Sequence, residues 1–236
     1  MNWNEIADGY DAWFETPIGR KAGKLEAQAV IRMAEPHEGE TIVDVGIGTG
    51  YFARHFARYA RPLIGIDSSM AMLRRAIAKL DGYEFVAIQG DAVNLPLKAD
   101  LADLTVSITV LEFVPNWRKA IAEMVRVTKP QGRIVIAVLN RNSGWAEVRI
   151  RSGKRIWKDA HFFTPNELVS ELAKYGSVTW TSSVFFGHDG RFLWMADLLE
   201  TLGRIFWRHR GALLVARCQI GDKNDTDDRD GQDLGR

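Results

Sequence analysis

Short β-favouring apolar runs recur along this chain with helix-length segments between them, and that alternation limits the fold more than any other feature. The runs are 41–46 (TIVDVG), 62–66 (PLIGI), 84–88 (EFVAI), 103–109 (DLTVSIT) and 133–139 (RIVIAVL). They lack the polar alternation of a half-solvated strand, so both sheet faces are expected to be covered. Helices are predicted over 51–60, 69–80, 116–128 and 165–175. In 69–80, Met70, Leu73, Ile77 and Leu80 fall at helical spacing, with Arg74, Arg75 and Lys79 on other faces. Thr164, Pro165 and Glu167 form a helix-start signal, and Gly176 a stop. A repeated β-α-β order predicts an α/β fold, a doubly wound and mostly parallel sheet.

The pattern changes near the end. Segment 177–186 alternates, and 211–218 follows a helix-like insert at 190–210, so the last strand is expected to be antiparallel. Residues 1–36 read as two helices broken near Thr16-Pro17, an appendage of the kind used as a lid. The main domain is expected to span 37–220. The tail 221–236 carries six aspartates and almost nothing to bury, and is expected to be disordered.

The first strand runs into Gly46, Gly48 and Gly50. Residues without a Cβ let a ligand approach the backbone, and a helix beginning at Gly50-Tyr51 offers free N–H groups. In open α/β sheets ligands bind at the carboxyl ends of the strands. The second strand ends at Asp67, 21 residues after Gly46, placed to accept from ribose hydroxyls. The third ends in Gly90-Asp91, where a carboxylate can accept from an adenine amine. Each feature has a plain structural reading: a tight turn, the N-cap of 69–80, a turn residue. Together, on successive strand ends, they favour a ribose–adenine site. NAD is the rival ligand. Its fingerprint is G-x-G-x-x-G/A, but here position 51 is tyrosine, and Asp44 suits an ammonium or sulfonium better than a pyrophosphate.

The stretches VDVGIGTGYFA, GIDSSMAML, QGDAVNLPL, ADLTVSITVLEFVPN and VTKPQGRIVIAVLN resemble, in order, the motifs of class I S-adenosylmethionine-dependent methyltransferases of the small-molecule, type 11-like kind. The resemblance spans about 40–140, with YDAWFETPIGR and HFFTPNEL similar to further segments of such proteins. It implies a seven-stranded Rossmann-like sheet with an antiparallel final pair. It also implies that the glycine loop meets the amino-acid part of S-adenosylmethionine, Asp67 the ribose, and Asp91 with Ala92 the adenine. Thr109, Val110 and Leu111 map beside the methionine portion, and an aromatic on the lid, Tyr10 or Trp13, closes over the cofactor. The expected cofactor contacts are therefore Tyr10, Asp44, Gly46, Gly48, Gly50, Asp67, Ser68, Asp91, Ala92 and Thr109.

Methyl transfer relies on alignment and exclusion of water, with a general base where the acceptor is a weak acid. Glu112, just past the fourth strand, and His161 are the catalytic candidates; a surface carboxylate and a structural loop histidine are the plainer readings. The place after the fourth strand reads TVLEFVPN, without the Asn/Asp-Pro-Pro-aromatic tetrad of nucleic-acid amine methylation. Five scattered histidines give no metal signature, and none is expected. The stretch 140–159 interleaves arginines and lysines with Trp145 and Trp157, and the 190–210 insert is amphipathic. A solvated face and packing against the sheet are the ordinary uses of such segments; an anionic partner and a membrane surface are the alternatives. Net charge +1, one cysteine and no long apolar run suggest a cytoplasmic protein with no global field favouring nucleic acid or a membrane, and the resemblance implies an enzyme with a small-molecule acceptor. A quinone or lipid-precursor methyltransferase, a non-catalytic S-adenosylmethionine-binding protein and an NAD-dependent enzyme stand as alternatives.

Overall fold

A computed structural model describes residues 2–221; the tail expected to be disordered lies, apart from Gly221, outside them. Seven strands form one sheet: β1 (Glu40–Val45), β2 (Ala60–Asp67), β3 (Phe85–Gln89), β4 (Ala102–Ile108), β5 (Thr128–Leu139), β6 (Gly176–Ser183) and β7 (Leu213–Ile220). Their order is β3-β2-β1-β4-β5-β7-β6. β1 to β5 are parallel, and β7 runs antiparallel to both β5 and β6. This is the α/β Rossmann-like sheet the sequence predicts.

Pleating sends alternate residues to opposite faces. On one face Ile42, Leu63, Leu104, Val135 and Val215 pack with α3 (Pro17–Ala34) and α4 (Met70–Lys79). On the other, Val43, Val45, Ile64, Ile134 and Ile136 pack with α5 (Trp117–Val127) and α8 (Pro165–Leu172). Thr16 caps α3 by accepting from the Gly19 amide at 3.0 Å, and Thr164 caps α8 by accepting from the Glu167 amide at 3.3 Å. α6 (Gly144–Arg151), α7 (Arg155–Lys158) and α9 (Ala196–Phe206) fill the long connections after β5 and β6.

The expected helix 51–60 does not form. The segment is turns around one 3-10 turn at Ala53–His55, and Ala60 already belongs to β2. Its apolar spacing is real, with Ala53, Phe56 and Ala57 buried. β6 stops at Ser183, before the predicted 186, where Val184 turns to φ +66°.

The N-terminal appendage breaks twice, into α1 (Trp3–Tyr10), α2 (Ala12–Glu15) and α3. α3 buries Ala22, Leu25, Ala29, Val30 and Ala34 and belongs to the layer covering the sheet. α1 crosses the start of α4: Ser69 Oγ donates to Asn4 Oδ1 at 2.7 Å, and Arg75 pairs with Asp8.

Candidate functional site

Strand order reverses between β1 and β4, and the carboxyl ends of β1 to β4 open there onto a cavity of about 420 Å³. That volume lies within the ordinary range for small-ligand sites. Its walls combine the glycine turn Gly46–Thr49, Asp67 and Ser68 after β2, Gly90–Val93 after β3 and Thr109–Val110 after β4. Trp3 and Tyr10 of α1 close one side, with Tyr51 and Phe113.

The glycine turn is tied down from within. The amides of Gly46 and Ile47 donate to Ile66 O at 2.7 and 3.0 Å, and Gly50 N donates to Ile47 O at 3.0 Å. Gly48 N donates to Asp67 Oδ2 at 2.9 Å, while Asp67 Oδ1 accepts from Ser69 N at 2.8 Å. No α-helix follows the turn, so the expected helix N-terminus is not presented there. Burial raises the Asp67 pKa against these hydrogen bonds. Asp44 lies buried in β1, its pKa pushed to about 7 by burial, with repulsion from Asp67 adding to it.

Thr49 joins the turn to the appendage. Its hydroxyl donates to Asp11 Oδ1 at 2.6 Å, and Lys79 of α4 donates to Asp11 Oδ2 at 2.7 Å. Phe14 of α2 stacks on Tyr51 with ring centroids 3.6 Å apart. Burial drives the Tyr10 phenol up to about 12 against a lowering influence of the Thr109 side chain, so it stays protonated. Thr109 itself holds φ +54°, with its amide bonded to Ala137 O at 2.8 Å. A non-glycine residue there is strained, and such strain clusters at ligand sites.

Of the predicted contacts, Tyr10, Gly46, Gly48, Asp67, Ser68, Asp91, Ala92 and Thr109 line the cavity. Asp44 and Gly50 do not. Asp44 is enclosed in the sheet, and a Cβ on Gly50 would lie 3.2 Å from Ala76 Cα, so this glycine serves close packing of the turn on α4. Trp13 stands away from the cavity, its ring against Trp145 at 6.1 Å.

Neither catalytic candidate reaches the cavity wall. His161 Nε2 pairs with Glu167 Oε1 at 2.9 Å, with its ring packed between Trp117 and Phe163. This also takes Glu167 away from the capping role its spacing suggested. Glu112 is buried rather than on the surface. Its Oε1 accepts from Leu139 N, its Oε2 has no hydrogen-bond partner among the described residues, and burial lifts its pKa to about 7.

Trp3, Tyr51 and Phe113 are cavity residues that sequence reasoning missed. Among the described residues no cluster of His, Cys, Asp or Glu could hold a metal ion. No described helix is long and apolar enough to cross a membrane.

The fold and its cavity define the class: a Rossmann-like sheet with its ligand site at the β1/β4 switch point. Comparison with known proteins agrees. Residues 43–136 match the methyltransferase domain family. A protein of Methanocaldococcus jannaschii, MJ1123, is 30% identical over 187 residues, covering 78% of this chain and 85% of that one. The demethylmenaquinone methyltransferase of Thermobifida fusca is 30% identical, over 61% of this chain and 65% of its own length. The crystal structure of an S-adenosylmethionine-dependent methyltransferase from Thermotoga maritima superposes with a TM-score of 0.71 at 23% identity, covering 92% of this chain and 98% of that one. This chain belongs to the S-adenosylmethionine-dependent methyltransferase family and is a methyltransferase.

Proposed function

We propose that the cavity at the β1–β4 strand ends holds S-adenosylmethionine and that the enzyme moves its methyl group to a small-molecule acceptor by in-line displacement. One observation carries this reading. Acidic side chains stand at or under three successive strand ends, Asp44 beneath β1, Asp67 after β2 and Asp91 after β3. Acid directly beneath the glycine turn opposes a pyrophosphate seated on it, which disfavours NAD. A ribose, an adenine amine and an ammonium need acceptors. Gly48 leaves its Cβ side open, with no protein atom within 4 Å of that position.

In this reading Asp91 and Ala92 receive the adenine, Asp67 the ribose hydroxyls, and Gly46, Gly48 and Thr109 the methionine portion. Asp44, buried beneath the turn, is placed to ionise against the ligand's ammonium. When bound, S-adenosylmethionine supplies a methyl group activated by its sulfonium. Tyr10, Trp3 and Tyr51 exclude water and hold the ligand's orientation, the two effects on which such a transfer depends.

Two measurements test the reading. Calorimetry with S-adenosylhomocysteine and NAD should give one-to-one binding of the first alone. Asp67→Ala should weaken it by about 1–3 kcal/mol; undiminished affinity removes the ribose assignment. Labelled S-adenosylmethionine incubated with a cell extract should put label in the small-molecule fraction. Label confined to nucleic acid or protein contradicts the acceptor class.

A second reading rests on the 190–210 insert. Trp194 is 84% exposed, with Phe192, Leu198, Ile205, Phe206 and Trp207 exposed around it. Arg191, Arg204, Arg208 and Arg210 lie among them in sequence. Aromatic and basic residues together suit a lipid surface, and a menaquinone-precursor acceptor would be found there. Flotation with anionic vesicles tests it: protein that stays at the bottom of the gradient rules it out.

A further inference from the structure

Next to Phe113, a residue of the cavity wall, stand charged side chains that the cofactor reading does not use. Glu112 neighbours Phe113 in the turn after β4, and its Oε2 is buried without a hydrogen-bond partner among the described residues. Arg149 of α6 has its guanidinium carbon 5.3 Å from the Trp145 ring and 5.1 Å from the Trp157 ring. The Trp157 ring is 6.2 Å from that of Phe113, which lines the cavity. Arg149 Nη1 is buried with no hydrogen-bond partner among the described residues. Glu26 of α3 completes the group. Arg149 feels the fields of Glu26, Glu112 and Tyr10, and Tyr10 those of both glutamates. The four side chains come from α1, α3, the β4 turn and α6, and Tyr10 among them lines the cavity itself.

A buried guanidinium hydrogen and a buried carboxylate oxygen, both unpaired, are costly to keep. Their retention here points to a ligand that pairs with both. We propose that Arg149, Glu112 and Glu26 form the acceptor site, and that the acceptor is a small carboxylate monoanion that also carries an amine or hydroxyl. The proposal rests on the methyltransferase reading above and names its substrate class. Arginine offers a planar fork matched to a carboxylate. A dianion such as a phosphate would face two glutamates with only one guanidinium to balance it. Burial holds both Glu26 and Glu112 near pKa 7, so near neutral pH each can take up a proton. In the transfer, the acceptor's lone pair forms the new bond to the methyl carbon. The carbon–sulfur bond breaks with its electron pair left on sulfur, and the acceptor's N–H or O–H proton passes to Glu112.

The test is calorimetry on the full chain saturated with S-adenosylhomocysteine. The probes are glycine, 3-aminopropionate, 4-aminobenzoate and 4-hydroxybenzoate, each beside its neutral carboxamide. At least one carboxylate should bind at least tenfold tighter than its amide. In Arg149→Met that preference should fall below twofold while affinity for S-adenosylhomocysteine is unchanged. Should Arg149→Met not fold, Arg149→Lys keeps the charge without the fork, and the preference should fall at least threefold. No preference across the set, or a preference that survives the Arg149 variants, overturns the proposal. Failure of the wild-type chain to bind S-adenosylhomocysteine instead overturns the cofactor reading on which it rests.

Discussion

The three glycines of the turn all adopt positive φ, but each for a different reason. A Cβ on Gly46 would approach the Val110 side chain to 2.3 Å, one on Gly50 would press on α4, and one on Gly48 would meet no protein atom. Gly48→Ala therefore separates folding from binding. The left-handed backbone costs a side chain about 1–2 kcal/mol, so thermal unfolding should shift by only a few degrees. Calorimetry should show S-adenosylhomocysteine binding weakened at least tenfold, because the new methyl enters the ligand's space; full affinity would mean the ligand lies elsewhere. At this scale the sequence exposed what spacing can expose. Asp67 and Asp91 stand at fixed offsets from a glycine-rich strand end, and both line the cavity. Trp3 and Phe113 lack such an offset, and Tyr51, though next to Gly50, carries no spacing signal that its ring lines the cavity. Glu26 and Arg149 are 123 positions apart, and only the folded chain brings them within electrostatic reach.

Among the elements, the strands were legible because five apolar runs bounded by turns have few alternative uses. The segment 51–60 was not, because an apolar spacing of four suits an α-helix and a buried turn equally. Where a strand begins is set by its neighbours, as the pairing of Ala60 with Glu40 illustrates. The join between α3 and the sheet was equally hidden. Arg133, at the start of a run that reads only as strand, is buried and clamps Glu40 with two bonds of 2.8 Å. It also donates to Ala34 O and Glu35 O, carbonyls at the end of α3. Arg133→Met would leave Glu40 and both carbonyls without their donor. Breaking a buried pair from one side costs on the order of 3 kcal/mol, and denaturant unfolding should show a loss of that size. A change below about 1 kcal/mol would mean solvent already satisfies these groups.

For the whole molecule, buried carboxyl groups couple stability to pH. Burial raises Asp44, Glu26 and Glu112 to about 7 from ordinary values near 4. The folded state then holds protons that the unfolded chain has already released. Their contribution is greatest below about pH 4 and is lost as pH rises through 7. Burial lowers the pKa of His55, which acts in the opposite sense. The melting temperature of the free wild-type protein should therefore fall between pH 6 and pH 8 more than that of a Glu26→Gln, Glu112→Gln variant. Equal falls would mean that these two carboxyls titrate normally. The same burial leaves unpaired atoms on Glu112 and Arg149 near a cavity rich in acceptors for a nucleoside. The nucleoside assignment of that cavity is the central claim. A crystal structure of the full chain grown with S-adenosylhomocysteine tests it most directly. The account predicts adenine against Asp91 and Ala92, ribose hydroxyls on Asp67, and the sulfur beside Thr109, facing the Tyr10 wall. Ligand bound outside the β1–β4 strand ends, or reversed within the cavity, would contradict it.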